Sequence, residues 1–287
     1  MASIPSKVAS RLVAGIKKFQ PILLAAKNRE ANESDTVTII TAILAEVFGY
    51  DQFSEITSER AVKSTNCDLA IKLNDNTNPC FLIEVKAIRL ELKDAHVDQA
   101  VFYGANDGVQ WVILTNGIHW RVYKIIFGQP IGKELVFEFD FLLLNHKNDA
   151  HLELLYLIAK EGIVRCGLDD YHAHMEAMSR FSLAATILSE PVIEVIRREL
   201  RKLSPGAKIS VEEIDEALKK YVFKGEVIEG PKAEEARKRI TKAQNKASKK
   251  TTKADSDSAP ILASGSPLAE NQPAAQSSPS TQPPPAA

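Results

Sequence analysis

The chain has 287 residues, enough for one or two domains with a hydrophobic core. Its 45% hydrophobic and 25% charged residues are ordinary for a globular protein and exclude a collagen-like or wholly disordered chain. The formal net charge of −1 excludes an overall basic nucleic-acid binder, so any contact with a polyanion has to be local.

In chain order, residues 7–26 carry helical apolar spacing at Val8, Leu12, Val13, Ile16 and Phe19, with Pro21 expected to end or kink the helix. The first 29 residues hold six Lys/Arg and no acid, which fits an organellar leader or, as preferred here, an amphipathic helix with a basic face. Asn32-Glu33-Ser34-Asp35 offers caps for a second helix through Val37, Ile40, Ile43, Leu44, Val47 and Phe48, stopped by Gly49. Short strands are expected at 53–58, 67–73 and 80–87, with turn residues Asn74 to Pro79 between the last two. Residues 94–105 have helix spacing. Trp111 to Leu114 and His119 to Ile126 read as a hairpin about Asn116-Gly117. A mixed sheet flanked by helices accounts for residues 1–150. Residues 151–229 read as a helical region. Residues 230–287 read as a tail, first basic, in a short helix or coil, and then a disordered Ala/Ser/Pro-rich stretch. Between Lys232 and Lys253 nine Lys/Arg face two Glu. This stretch suits non-specific phosphate contact as well as it suits a solvated linker.

Three cysteines, Cys67, Cys80 and Cys166, form no C-x-x-C pair, so a reducing cytoplasmic setting is the expectation. No apolar run reaches the length of a membrane span. Around Asp169 to Glu176, His172 and His174 lie about 200° apart on a helix and are expected to be surface residues that share no ion. Ser182 has no accompanying His/Asp constellation.

Two Glu-x-Lys triplets stand out, Glu84-Val85-Lys86 and Glu91-Leu92-Lys93. The first follows Phe81-Leu82-Ile83, so its charges fall on a strand that should be buried, and a strand puts Glu84 and Lys86 on one face. The second lies beyond the strand end, where charge costs little. A hairpin symmetric about Asn76 places Asp68 opposite Glu84, with Cβ atoms about 4.5–5.5 Å apart. Two facing carboxylates repel unless a cation lies between them, and Mg²⁺ accepts a few carboxylate oxygens while keeping water ligands. Lys86 would then add positive charge where a phosphate gains negative charge. That set suits phosphodiester hydrolysis. A Glu84–Lys86–Asp68 ion cluster without chemistry remains the alternative from these three residues. Gln99 and Tyr103, four apart, share a helix face and could orient the lysine or touch a phosphate. Glu33 is either a third carboxylate or a helix-start acid favoured by the dipole.

The ordered set Asn32-Glu33-x-x-Thr36, Cys67-Asp68-Leu69-Ala70, Ile83-Glu84-Val85-Lys86, Gln99-x-x-x-Tyr103, Trp111 to Gly117 and Trp120-Arg121-Val122-Tyr123 resembles the N-terminal nuclease domain of type I restriction enzyme R subunits. That domain belongs to the PD-(D/E)xK nuclease superfamily. The resemblance covers about residues 5–145. It implies a restriction-endonuclease-like α/β fold, Asp68 and Glu84 as metal-binding acids with Glu33 as the acid of the first core helix, and Lys86 as catalytic lysine. It also implies Gln99 and Tyr103 as the motif of this branch, and Mg²⁺ or Mn²⁺ as cofactor. The implied activity is cleavage of DNA, with a separate specificity or motor protein as partner, since no translocase follows. Gly128 to Glu134 is one residue short of a phosphate loop and reads as a hairpin turn. The competing function is a non-catalytic DNA- or partner-binding scaffold of the same fold. A homo-oligomer is compatible with either.

Overall fold

The computed structural model describes residues 4–58, 67–73 and 78–255, with side chains as far as 246. Helix α1, Ser6–Asn28, runs through Pro21 rather than stopping there. Proline removes one backbone donor, but Pro21 is exposed, so water can reach the carbonyl it leaves unpaired. Phe19, Leu23 and Ala26 on either side are buried and hold the helix on the core. Asn32 caps α2, Glu33–Glu46, by accepting from the Asp35 amide. The chain leaves α2 through Gly49 at φ +83°, a left-handed conformation suited to glycine. Arg11 of α1 fastens that exit. It donates to the Val47 and Phe48 carbonyls and pairs with Glu161, so part of the basic N-terminal face is used internally.

The sheet is built from β1, Ile56–Ser58, β2, Leu69–Ile71, and β3, Phe81–Val85. After α3, Asp98–Asn106, come β4, Trp111–Thr115, β5, His119–Ile126, and β6, Gly132–Asp140. The six strands lie in chain order, antiparallel throughout except for the parallel pair β3 and β4, which α3 connects. The fold class is therefore α/β with a mixed sheet. The strand expected at 53–58 is shorter because Asp51 draws residues 53–54 into a turn, accepting from both their amides. The helix expected at 94–105 is split into a 3-10 turn, Asp94–His96, and α3. Residues 74–77 of the predicted turn lie outside the described residues. Gly128 to Ile131 lie in the β5–β6 turn and Gly132 to Glu134 begin β6, in the hairpin expected of this stretch.

Strand alternation sorts the sheet into two faces. Leu69, Ile71, Phe81, Ile83 and Val85 pack with α1, α2 and the later helix α4. Ala70, Leu82, Val112 and Leu114 pack with Val97, Ala100 and Val101 beneath α3. A Cβ at Gly104 would meet Ile125 Cδ1 at 2.6 Å, so α3 lies close against β5 there.

Helices α4, Asp149–Ile158, α5, Lys160–Val164, and α6, Gly167–Ala177, follow. Leu152, Leu155, Ile158 and Leu168 join the same core as the sheet. The first compact unit accordingly extends through Leu183, so the boundary expected at 150 falls inside it.

Helix α7, Arg180–Ile187, spans the boundary between the units. The second unit continues with α8, Glu190–Leu203, α9, Val211–Ala217, and a π-helical turn at Leu218–Val222. It ends with α10, Gly225–Ile228, and α11, Pro231–Asp255. The basic stretch thus forms a 25-residue helix, longer than the short helix or coil expected. The Ala/Ser/Pro-rich tail beyond it lies outside the described residues. Among the described residues no helix is long and apolar enough to cross a membrane.

Candidate active site

Strand β3 is buried at every position, and Glu84 is its one charged residue, 8% exposed. Alternation aims Glu84 at the same face as Leu82, the face covered by α3. Leu69 pairs with Ile83, Ala70 with Leu82 and Ile71 with Phe81. Continued by one step, this register would set Asp68 against Glu84, the pairing expected from the symmetry about Asn76. β2 begins only at Leu69, and the Asp68 carboxylate takes over at that end, its Oδ2 accepting from the Val85 amide at 2.6 Å.

Lys86 follows the strand. Its amide donates to the Thr115 carbonyl, extending the parallel ladder, and its ammonium donates to Glu84 Oε1 at 2.5 Å. Glu33 Oε2 lies 4.0 Å from the same ammonium. Burial raises the Glu84 carboxyl above the usual carboxylate range. The Lys86 hydrogen bond opposes that rise and the Asp68 charge adds to it. Burial works against the Lys86 charge, but the Glu84 hydrogen bond and the charges of Glu84, Glu33 and Asp68 outweigh it, so the lysine is raised and remains an ammonium at neutral pH.

The other side of the cluster is built by residues far away in sequence. Thr36 in the first turn of α2 is fully buried; its Oγ1 donates to the Asn32 carbonyl and accepts from the Ile88 amide at 3.1 Å. Asn116 donates to the Leu90 carbonyl at 2.9 Å and accepts from the Ile118 and His119 amides. These two side chains hold the segment leaving β3 and bring the start of α2 up to Lys86. Both lay in quoted motifs, Thr36 three residues after Glu33 and Asn116 in the hairpin turn, but their sequence positions did not reveal this support. Replacing Thr36 by valine leaves the buried Ile88 amide without its acceptor. We expect a loss of about 1–3 kcal/mol, read as a lowered midpoint in urea.

Gln99 and Tyr103 lie on α3, above the face from which Glu84 projects, and Gln99 Nε2 donates to Tyr103 Oη at 3.3 Å. The structure thus gathers Asp68, Glu84, Lys86 and Glu33 and links Gln99 to Tyr103. Among the described residues the three acids do not converge into a cluster whose ligand atoms all lie within 4.8 Å; the Lys86 ammonium stands between Glu84 and Glu33.

Cys67 is buried beside this centre, with its Sγ 3.1 Å from the Ile83 carbonyl. Burial, then the Glu84 and Asp68 charges, push its thiol far above the ordinary value, so it is a packing residue rather than a nucleophile. Thiol titration of the native protein should therefore modify exposed Cys166 first, the half-buried Cys80 more slowly, and Cys67 only after unfolding.

A second group forms at β6 and α6. His172 was expected at the surface but is 8% exposed. Its Nε2 lies 3.1 Å from Glu134 and its Nδ1 3.7 Å from Glu176, and the three residues offer ligand atoms within 4.8 Å of one another. The 3.6-residue repeat that separates His172 from His174 also turns His172 inward, where Trp111 packs edge-on against it. His174 is exposed and shares no site with it, as expected. Lys124 Nζ stands 3.3 Å from His172 Nδ1. An ammonium can only donate, so Nδ1 accepts, Nε2–H donates to Glu134, and the cluster is satisfied without an ion.

A comparison of sequence covers the segment that holds Asp68, Glu84 and Lys86. Residues 38–135 match the family described as type I restriction enzyme R protein N terminus. The match covers about a third of the chain, from within α2 into β6, and includes Asp68, Glu84, Lys86, Gln99 and Tyr103 but not Glu33. The resemblance to the type I R-protein N terminus is thereby shown for this segment. No curated protein and no solved structure matches the chain.

Proposed function

We propose that the first unit is a metal-dependent nuclease that hydrolyses DNA phosphodiester bonds, with a PD-(D/E)xK type of centre formed by Asp68, Glu84 and Lys86. One observation carries the reading. Asp68, just before β2, and Glu84 of β3 are close enough for their charges to interact, and Glu84 is held above its ordinary pKa, mainly by burial, in spite of a lysine at 2.5 Å. Asp68, Glu84 and Glu33 set three carboxylates against the one Lys86 ammonium, an imbalance that a divalent cation would relieve, and the all-oxygen donor set suits Mg²⁺ or Mn²⁺. The match to the type I R-protein N terminus supports the same chemistry and a DNA substrate.

Asp68 and Glu84 would hold the ion, with Glu33 as a further acid on the opposite flank of Lys86. Bound there, the ion supplies Lewis acidity toward the phosphate and lowers the pKa of water. Every other role belongs to the chain. The Lys86 ammonium, which donates to Glu84 in this structure, would be the group that donates to a phosphate oxygen. As a cation it stabilises the charge that develops on the phosphorus oxygens. Gln99 and Tyr103, on the helix over the same face, would orient the backbone of the substrate. β3 and the parallel β4 fix Lys86 through the Thr115 carbonyl, which limits the drift of its stem.

The experiment is a cleavage assay of the full chain on supercoiled and linear DNA with Mg²⁺ or Mn²⁺ and with EDTA. Nicking or degradation that EDTA stops is the expected result. Folded protein that binds no divalent ion in calorimetry would overturn the reading. The closed Glu84–Lys86 ion pair favours a second reading, a scaffold that keeps the fold without the chemistry. The scaffold reading predicts no metal binding at this pair; a catalytic domain that waits for a partner binds the ion but leaves DNA uncut.

A further inference from the structure

We infer that α11 is a second DNA-binding element, separate from the nuclease centre, that grips the phosphate backbone of duplex DNA through a lysine stripe. The choice of DNA among polyanions rests on the function proposed above; the stripe itself does not. At 3.6 residues per turn, positions 238, 242, 246, 249 and 253 fall within an arc of about 80° on one helix face. All five are lysines. They extend over about 22 Å of helix at 1.5 Å per residue. Lys238, Lys242 and Lys246 are exposed. Arg237 is used elsewhere, donating to the Ile228 carbonyl at 2.9 Å and so tying α11 to α10. The two glutamates of the helix, Glu234 and Glu235, precede the stripe, near the N-terminus where negative charge suits the helix dipole.

The chemistry of the other face selects the partner. A basic amphipathic helix that lies on a membrane buries bulky Trp, Phe or Leu side chains. Here positions 233, 236, 240, 243, 247 and 254 are five alanines and one isoleucine. Ala233 and Ala236 are already buried within the protein. Too little apolar area remains to enter a bilayer. Single-stranded nucleic acid is gripped by aromatic side chains that stack on bases, and α11 has no aromatic residue from Pro231 to Asp255. What remains is a row of point charges without a stacking platform or donor fork, which matches the regular phosphate array of a duplex and reads no sequence.

The test is fluorescence anisotropy with a labelled 30-base-pair duplex, in EDTA, on full-length protein carrying Asp68→Asn, so that no cleavage enters the measurement. Lys238→Gln/Lys242→Gln/Lys246→Gln is added to that background, with circular dichroism to show the helix intact. If the stripe neutralises three phosphates through these residues, the slope of log affinity against log salt falls by about 2.7. Equivalently, the parent loses about 40-fold more affinity than the triple variant between 50 and 200 mM salt. An unchanged slope in the triple variant overturns the proposal. So does tighter binding by the parent to a single strand, to an RNA duplex or to anionic vesicles than to the DNA duplex. The two proposals separate cleanly. Binding that follows the lysine stripe while wild-type protein never takes up a divalent ion leaves this one standing and removes the nuclease reading; metal-dependent cleavage with an unchanged slope does the reverse.

Discussion

Lys86→Ala should lower metal-dependent DNA cleavage by about 10²–10³-fold or more, the range for removing one preorganised donor to a developing oxyanion. Divalent-ion binding should survive in this variant, because the acids remain and the competing ammonium has gone. Asp68→Asn should lose both cleavage and ion binding, because an amide offers the ion no charge. It also turns a carboxylate that accepts from the Val85 amide into a weaker acceptor, so a modest loss of stability accompanies it. The split between the two variants is the informative result. A purely structural ion cluster would lose stability in both and have no ion binding to lose. Calorimetry with Mn²⁺ beside a plasmid-nicking assay reads the two effects separately.

The second large effect is on stability. Mg²⁺ at about 100 times its dissociation constant should add about 2.7 kcal/mol to the fold. For a domain of this size that is a rise in Tm of about 5–11 °C. Glu84→Gln should abolish the rise. The same variant should raise the Tm of the metal-free protein at neutral pH, because the Glu84 carboxyl is held above its ordinary pKa, mainly by burial. A carboxyl raised in the folded state stabilises the fold below its unfolded pKa, and that contribution is lost as pH rises through the raised value. At neutral pH the ionised side chain therefore works against folding, and glutamine removes that cost while still accepting from Lys86. Metal reverses the sign, because it needs the anion. The Mg²⁺-induced shift in Tm should fade as the pH drops through the raised Glu84 pKa, earlier than for an exposed carboxylate. Lys86, also raised, contributes stability that is lost only on the alkaline side, above its ordinary pKa. Scanning calorimetry across pH with and without Mg²⁺ measures all three; a Tm of Glu84→Gln below the wild type in EDTA would show that the ion pair itself holds the fold.

The acid pair would do this work at some expense to the fold. Phe81, Leu82, Ile83 and Val85 are 0–1% exposed, and an apolar residue in place of Glu84 would continue the packing of Leu82 toward α3. A buried charge on such a strand is hard to account for as packing and easy to account for as a site. The His172 cluster shows the contrasting case. There Glu134 and Lys124 answer both imidazole nitrogens, so burial alone does not point to an ion.

Local order was legible in the sequence because it depends on neighbours along the chain. The alternation of 80–87 told strand from helix, and the hairpin pairing expected of 67–73 with 80–87 gave the register that sets Leu69 against Ile83. The helix spacing of 94–105 put Gln99 and Tyr103 on one face, and Asn116-Gly117 marked its hairpin. Where two apolar sets compete, periodicity was less informative. Pro21 reads as a stop, but burial of Phe19 and Leu23 keeps α1 whole. A boundary at 150 reads well from composition, but Leu152, Leu155 and Leu168 belong to the core of the sheet.

By itself, then, the sequence determined an α/β domain and the antiparallel register of β2 with β3. A two-residue repeat and a hairpin pairing are properties of a few contiguous residues, and no distant contact is needed to establish them. Tertiary packing decided the rest. It decided that Thr36 meets Ile88, that Glu33 approaches Lys86, that Lys86 closes on Glu84, and that His172 turns inward against Trp111. Each of these joins residues from separate helices and strands, or sets a side chain whose direction depends on what packs around it. Such contacts arise when apolar faces far apart in sequence bury one another, and the chain order of polar residues does not encode which of them that burial brings together.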